Sequence, residues 1–236
     1  MGEFEVAIRD HSDSTIVQVR ILMFINTAKK YSPQSLSDFI YPNAKTKDIV
    51  DAYVSGVTDQ PLILHGSNGT GKSLLQRLIP NAIEQCQASL QVVKCADLKS
   101  AGDIHNLYGR NKHFNRMFTV NGQRFNYIII EEFSITNKKM IDALKIELDE
   151  TLGTDLTIIS TNRFEKMDIG IVSRSIELEL LPCEPQVFLP HAKKIFESEC
   201  IDFDDRKLLK SLEVTYALQK DNRKYYQAID SLFRNI

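Results

Sequence analysis

The chain has little that would lock it covalently or hold it in a membrane. Its four cysteines, Cys86, Cys95, Cys183 and Cys200, are scattered, with no Cys-x-x-Cys pair and no histidine at ligand spacing. That argues against a disulfide framework or a zinc site and for buried thiols in a reducing compartment. Long apolar runs are missing too. The longest near the N-terminus, Ile21 to Ile25, is too short to span a bilayer and follows Glu3, Glu5, Asp10 and Asp13 rather than a basic region. The protein is therefore expected to be soluble, unprocessed and cytoplasmic, with no membrane partner. Charge of one sign is also lacking, because 29 Lys and Arg stand against 31 Asp and Glu. No overall field announces a polyanion or membrane binder, so any such surface must be local. Internal repeats and low-complexity tracts are absent.

What is present is a chain of 236 residues with 43% hydrophobic content, enough for one large domain or a core with a satellite. From Gln60 the order is an apolar run (Pro61 to Leu64), a Gly-rich turn, and a helical pattern with Leu74, Leu75, Leu78 and Ile79 on one face before Pro80. Strand-like runs follow at Leu90 to Ala96, Phe125 to Ile130, Leu156 to Ser160 and Ile176 to Leu181. They alternate with stretches long enough for crossover helices and have no hairpin turns between them, which predicts an α/β fold with a parallel sheet. The triplet Ile128-Ile129-Ile130 suits a central strand covered on both faces. After Pro185 strand patterns stop and three helical patterns follow, at about 186–200, 204–219 and 221–234, predicting a small all-helical domain. At the other end, Ile16, Val17, Val19 and Ile21 fit a strand or a helix equally.

The Gly-rich turn carries chemistry. In Gly66-Ser67-Asn68-Gly69-Thr70-Gly71-Lys72-Ser73 the glycines let successive backbone N–H groups turn inward around a phosphate. Lys72 reaches the β and γ phosphates of a nucleotide, and the Ser73 hydroxyl sits where it can ligate Mg²⁺ at the start of a helix whose dipole favours the anion. Such a loop needs acidic groups on a neighbouring strand. The run Tyr127 to Ile130 delivers Glu131 and Glu132 at its C-terminal end, where open α/β sheets keep their ligands. By position Glu131 serves the metal shell and Glu132 is the candidate base. The next strand ends in Ser160-Thr161-Asn162, so Asn162 is placed to orient an attacking water or sense the γ-phosphate, with Thr161 as substitute.

With those motifs in order, the chain resembles an AAA+ ATPase, and more narrowly the ATPase subunits of sliding-clamp loaders of phage and replication factor C type. The resemblance runs from about Lys30 to Ile236. It begins with Lys30-Tyr31-Ser32-Pro33, then Leu36, Phe39 and Ile40, similar to the loader segment that wraps the adenine, which implies Tyr31 and Ile40 as nucleotide contacts. Asn162 is similar to the sensor 1 asparagine. Twelve residues beyond it Arg174, in Ser173-Arg174, resembles the arginine that enters a neighbouring subunit's ATP site. Such a guanidinium ties hydrolysis to assembly, since it neutralises γ-phosphate charge only when the neighbour is docked. Asp221-Asn222-Arg223-Lys224, with Ala228, Ile229 and Leu232, is similar to the sensor 2 helix, and Arg223 would reach the phosphates in cis.

The resemblance implies a P-loop core with a parallel five-stranded sheet flanked by helices over residues 30–184, a helical lid over 185–236, and an N-terminal segment, 1–29, of unassigned role. It implies ATP and Mg²⁺, and a ring or open-ring oligomer of the chain with itself. Three features depart from the family: Glu131 stands in place of an aspartate, Ser32 in place of a common arginine, and Ser175 where a cysteine often follows the finger. The resemblance further leads to the expectation of a loader-like ATPase without the collar domain.

Loader ATPases grip DNA phosphates between the first helix and the acidic strand. The corresponding stretch here, 99–124, holds Lys99, Arg110, Lys112, Arg116 and Arg124, with His113, against the single carboxylate Asp103. It is the place where a near-neutral chain could hold DNA. Tyr108, Phe114 and Phe118 could stack on bases there, although such spacings also occur in cores. The expected function is an ATPase that loads or remodels a protein on DNA, with a sliding clamp or another replication or recombination protein as partner. Two alternatives stand beside it: a superfamily 3-like DNA helicase or translocase, suggested by Glu131-Glu132, and a nucleotide-gated interaction module with little turnover.

Overall fold

Five short apolar runs become the strands of one sheet. In the computed structural model, which describes residues 26–115 and 122–234, these are β1 (Leu62–His65), β2 (Leu90–Lys94), β3 (Asn126–Glu131), β4 (Asp155–Thr161) and β5 (Ile176–Glu179). They lie in the order β2-β3-β4-β1-β5, every neighbouring pair parallel, as the absence of hairpin turns predicts. The returns run through α3 (Lys72–Glu84), α4 (Ala101–Asn115), α5 (Lys138–Glu150) and the short α6 (Ile169–Val172), while α2 (Ala44–Val54) precedes β1.

The period of two in the strands divides the core into two layers. Leu62, Leu64, Ile129 and Ile158 pack with Leu75 and Ile79 of α3 and Val50 and Tyr53 of α2. Ile63, Ile128, Ile130 and Ile159 face the other way, onto Ile104 and Tyr108 of α4 and Leu144 and Leu148 of α5. β4 is buried at every residue, which fits its place between β3 and β1.

The helix after β1 does not stop before Pro80, as its sequence predicts. α3 runs on to Glu84 with Pro80 inside it. Proline removes one backbone hydrogen bond, but Ile79 and, beyond the proline, Ile83 pack on the same face of the sheet, so burial outweighs the lost bond. Strand ends differ by a residue or two. β2 gives way to a 3-10 turn at Cys95–Asp97, and β3 extends through Glu131.

The C-terminal region is helical as expected: α7 (Pro185–Ser198), α8 (Asp205–Leu218) and α9 (Asn222–Arg234) enclose Phe188, Ile195, Phe196, Leu212, Tyr225 and Ile229. The first described helix, α1 (Thr27–Lys30), packs onto this unit. The Thr27 N–H donates to Asp230 Oδ1 at 3.1 Å, its hydroxyl to the Tyr226 carbonyl at 3.1 Å, and Lys30 pairs with Glu199 at 2.7 Å. Ile16, Val17, Val19 and Ile21 lie outside the described residues. Among the described residues no helix is long and apolar enough to cross a membrane.

Candidate active site

β1 ends at His65, and the chain turns sharply into the Gly-rich loop before α3 begins at Lys72. The turn requires Gly66. Its φ is +132°, and a Cβ there would stand 2.3 Å from the backbone oxygen of Leu180. Lys72 is only 9% exposed, and its Nζ donates to the carbonyls of Gly66 at 2.9 Å and Ser67 at 2.6 Å. Burial pushes its pKa down to about 8; the Arg223 guanidinium acts in the same direction, and Asp221 opposes them.

A cavity of about 380 Å³ opens over this loop. Asn68, Gly69, Thr70, Gly71, Lys72 and Ser73 form its floor. Glu132 and Asn162 enter from the ends of β3 and β4, and Arg223 from the first turn of α9. Phe39, Ile40, Phe188 and Tyr226 supply an apolar wall. The lining thus combines converging polar groups with an apolar wall, as a molecule with a charged tail and a flat apolar head requires.

The end of β3 is held in an unusual conformation. Glu132 has φ +56°, a left-handed geometry that non-glycine residues adopt at a cost of about 1 kcal/mol or more. Bonds across to β4 maintain it: the Glu132 N–H donates to Ser160 Oγ at 3.4 Å, the Phe133 N–H to the Ser160 carbonyl at 2.7 Å, and the Thr161 hydroxyl to the Phe133 carbonyl at 2.9 Å. One residue on, Asn162 Nδ2 donates to Asn68 Oδ1 at 2.8 Å. His65 stacks on Phe164 with ring centroids 4.0 Å apart, which pins the turn after Asn162 to the end of β1. Arg223 forms a two-toothed pair with Asp221, Nε to Oδ1 at 3.2 Å and an Nη to Oδ2 at 2.9 Å, and that hydrogen bonding raises its pKa.

Other predicted residues fall outside the lining. Gly66 and Ser67 contribute through the carbonyls that hold Lys72. Glu131 faces α3, where Arg77 approaches its carboxylate at 3.6 Å. Tyr31 is turned away, its hydroxyl donating to Glu199 Oε1 at 2.5 Å, whereas Ile40 lines the cavity. Arg174, just before β5, donates from Nε to Asp149 Oδ1 at 2.8 Å and from an Nη to the Gly170 carbonyl at 2.8 Å.

In the basic stretch, Lys99 precedes α4 and its N–H donates to Asp103 Oδ2 at 2.9 Å. Arg124 lies over the Phe125 ring, 5.0 Å from its centroid. Arg110 and Lys112 belong to α4. Arg116 and Phe118 lie outside the described residues, as do the side chains of Arg110, Lys112, His113 and Phe114. Tyr108 is fully buried, its hydroxyl 3.0 Å from Thr157 Oγ1. It is therefore a core residue and not a stacking group for bases.

Sequence reasoning missed Phe188 and Tyr226 of the apolar wall. Cys183, read only as a buried thiol, lines the cavity and donates from Sγ to the Ile40 carbonyl at 3.4 Å. Asn222 braces it by accepting the Cys183 N–H at 2.9 Å. The signal for Asn222 was its place beside Arg223; Phe188 and Tyr226 gave none beyond helical periodicity. For a divalent cation, the Ser73 hydroxyl and the Glu132 carboxylate are hard oxygen donors on the cavity wall. They suit Mg²⁺, which takes one or two protein oxygens together with substrate phosphates.

No family model matches the chain. It is 21% identical over 202 residues to DNA polymerase III subunit gamma of Buchnera aphidicola subsp. Baizongia pistaciae, covering 77% of this chain and 53% of that protein. The gamma subunit of Buchnera aphidicola subsp. Schizaphis graminum is 23% identical over 198 residues, with 77% and 54% covered. The tau/gamma subunit of Haemophilus influenzae is 21% identical over 216 residues, with 83% and 31% covered. The chain thus spans about half the length of the first two relatives. Two solved structures of RuvB variants from Thermotoga maritima superpose with TM-scores of 0.57 and 0.56, each at 16% identity and covering 85% of this chain and 72% of theirs. The five-stranded parallel sheet and the helical C-terminal region give the chain the fold of those RuvB structures, and in sequence it resembles the DNA polymerase III gamma and tau/gamma subunits.

Proposed function

We propose that the chain binds ATP with Mg²⁺ in this cavity and hydrolyses it within an oligomer that loads or remodels a protein on DNA. The observation that carries the reading is the convergence of Lys72, Glu132, Asn162 and Arg223, from four separate elements, on one cavity over the Gly-rich loop. Backbone N–H groups of Gly69 to Ser73 and the Lys72 ammonium cradle the phosphates, with Ser73 on the metal. Glu132 takes the proton of the attacking water, and Asn162 orients that water or the γ-phosphate. Arg223 joins lid to phosphate in cis, and the base rests among Phe39, Ile40, Phe188 and Tyr226. In this division residues 30–184 form the core and 185–236 the lid.

Arg174 is assigned to a neighbour's site. It stands outside its own cavity on a partly exposed turn that follows α6, whose first residue, Ile169, is 83% exposed. The stretch with Lys99, Arg110, Lys112 and Arg116 is assigned to DNA phosphates, and the partner is a sliding clamp or another replication or recombination protein. The names of the similar DNA polymerase III subunits support that setting.

A second reading, a nucleotide-gated interaction module with little turnover, is favoured by one observation: Glu131, the candidate for the metal shell, faces Arg77 instead of the cavity. Steady-state ATP hydrolysis, with and without DNA, decides between the two. The ATPase reading expects turnover that Lys72→Ala abolishes and that Glu132→Gln lowers about a hundredfold while ATP binding persists. ATP binding with no turnover in the parent chain would leave the module reading instead.

A further inference from the structure

We infer that Asp221 is a positioning residue that seats the lid on the phosphate loop at Gly69 and presents the Arg223 guanidinium to the nucleotide. The inference rests on the ATP site proposed above and adds a residue to it.

Asp221 immediately precedes α9. Its Oδ1 accepts the Arg223 N–H at 2.9 Å, the bond of an N-cap carboxylate. Helix caps of this kind commonly face water. This one is 19% exposed because it lies against the loop of another unit. A Cβ on Gly69 would come within 1.6 Å of Asp221 Oδ1 and 2.1 Å of its Cγ. The carboxylate therefore fills the space that any side chain at 69 would need. Gly69 is required on two counts, for its φ of +74° and for this close approach.

The same carboxylate grips Arg223 through two bonds, Nε to Oδ1 and Nη to Oδ2. A guanidinium held by a planar fork has lost most of its rotational freedom before it meets a phosphate. Asp221 itself stands outside the cavity lining, while Arg223 lies on it. The carboxylate thus acts from behind, through the arginine. It also moderates the local positive charge: Arg223 lowers the Lys72 pKa and Asp221 raises it, so both lie within electrostatic reach of the phosphate-binding ammonium. Gly69 thus meets the lid at a contact that lies within two residues of the arginine it steers.

Asp221→Asn separates this role from helix capping, since asparagine caps a helix about as well as aspartate but lacks the charged fork. ATP turnover at saturating nucleotide, affinity for a fluorescent ATP analogue and thermal unfolding are compared for the parent chain, Asp221→Asn, Asp221→Ala, Arg223→Ala and Asp221→Asn/Arg223→Ala. We expect Asp221→Asn to keep the unfolding midpoint, to lower turnover about tenfold or more, and to leave analogue affinity within about threefold. We expect it to add nothing in the Arg223→Ala background, as two residues acting as one unit require. Full turnover in Asp221→Asn beside an impaired Arg223→Ala would overturn this inference alone. Additive losses would overturn it as well, by showing that Asp221 acts independently of Arg223. Full turnover in Arg223→Ala would overturn both the inference and the role given to Arg223.

Discussion

Asn162 and Asn68 meet across the mouth of the cavity, Nδ2 to Oδ1 at 2.8 Å. The contact joins the end of β4 to the Gly-rich loop and fixes which edge of the Asn162 amide remains for a ligand. Asn68 occupies one of the variable positions of the loop, so its side chain is free to serve as a brace. Asn68→Ala is expected to lower turnover about tenfold and to do so mainly through kcat, because Lys72 and the backbone cradle remain. Asn162→Ala should cost at least as much, and the double variant no more than Asn162→Ala alone. Steady-state kinetics of the three variants checks this; a loss carried entirely by KM would assign Asn68 to nucleotide binding instead.

A second prediction concerns Tyr108, whose hydroxyl meets Thr157 in the fully buried layer between α4 and β4. Tyr108→Phe leaves the Thr157 hydroxyl without this partner and is expected to destabilise the chain by about 1 kcal/mol. Tyr108→Ala is expected to cost about 3–5 kcal/mol. DNA affinity, measured under conditions where both variants stay folded, should not change, because the ring contributes nothing to the surface. Denaturant unfolding with parallel DNA titration tests both halves.

Tyr108 also marks where the sequence stopped being legible. Its neighbours in 99–124 are basic and aromatic, a pattern that a DNA surface and an amphipathic helix share, and burial alone separates the two. The sheet was legible because Ile128-Ile129-Ile130 and its counterparts are too apolar for anything but strands covered on both faces. The Gly-rich turn was legible because its glycines are demanded by local geometry, as the φ of +132° at Gly66 shows. Pro80 misled, since the packing of Ile83 on the sheet is a tertiary effect invisible to a local rule. Part of the apolar cavity wall was hidden for the same reason: Phe188, Cys183 and Tyr226 come together only once α7 and α9 fold against residues 28–40. Even adjacency deceived, because Glu131 and Glu132 are consecutive, yet the left-handed turn at Glu132 sends one toward the cavity and leaves the other beside Arg77.

The Lys72 ammonium gives a pH signature. Its pKa in the folded chain is about 8, below the ordinary 10.5, with burial as the main cause. Between those two values the unfolded chain holds more protons than the folded one, so Lys72 makes stability rise with pH through that window. Lys72→Met should flatten that rise in nucleotide-free protein. Phosphate charge pulls the pKa back up, so ATP binding at pH 8 should take up about half a proton at this residue, and almost none at pH 6, where the lysine is already charged. Affinity should fall as pH climbs past 8. Titration calorimetry in two buffers of different ionisation enthalpy measures the uptake, which Lys72→Met should remove.

Arg174 is held at home by Asp149 and the Gly170 carbonyl, both at 2.8 Å. The role proposed for Arg174 in a neighbour's site therefore requires this pair to open or to swing as a unit. The pair is half-exposed, and such surface bridges contribute about 0–1 kcal/mol, so the restraint is small beside a triphosphate's pull. Asp149→Ala is expected to change the unfolding midpoint little while shifting the protein concentration that gives half-maximal turnover downward, by up to about fivefold, because the arginine no longer has to leave a partner. Arg174→Ala should lower turnover about a hundredfold or more at concentrations where copies associate. Mixing decides whether the arginine acts across subunits. Arg174→Ala chains keep an intact cavity and Lys72→Ala chains keep an intact finger, so their mixture should recover a fraction of the turnover that neither has alone. Recovery that grows with total protein concentration is the expected result, and a mixture as inactive as its components would remove Arg174 from any neighbour's site.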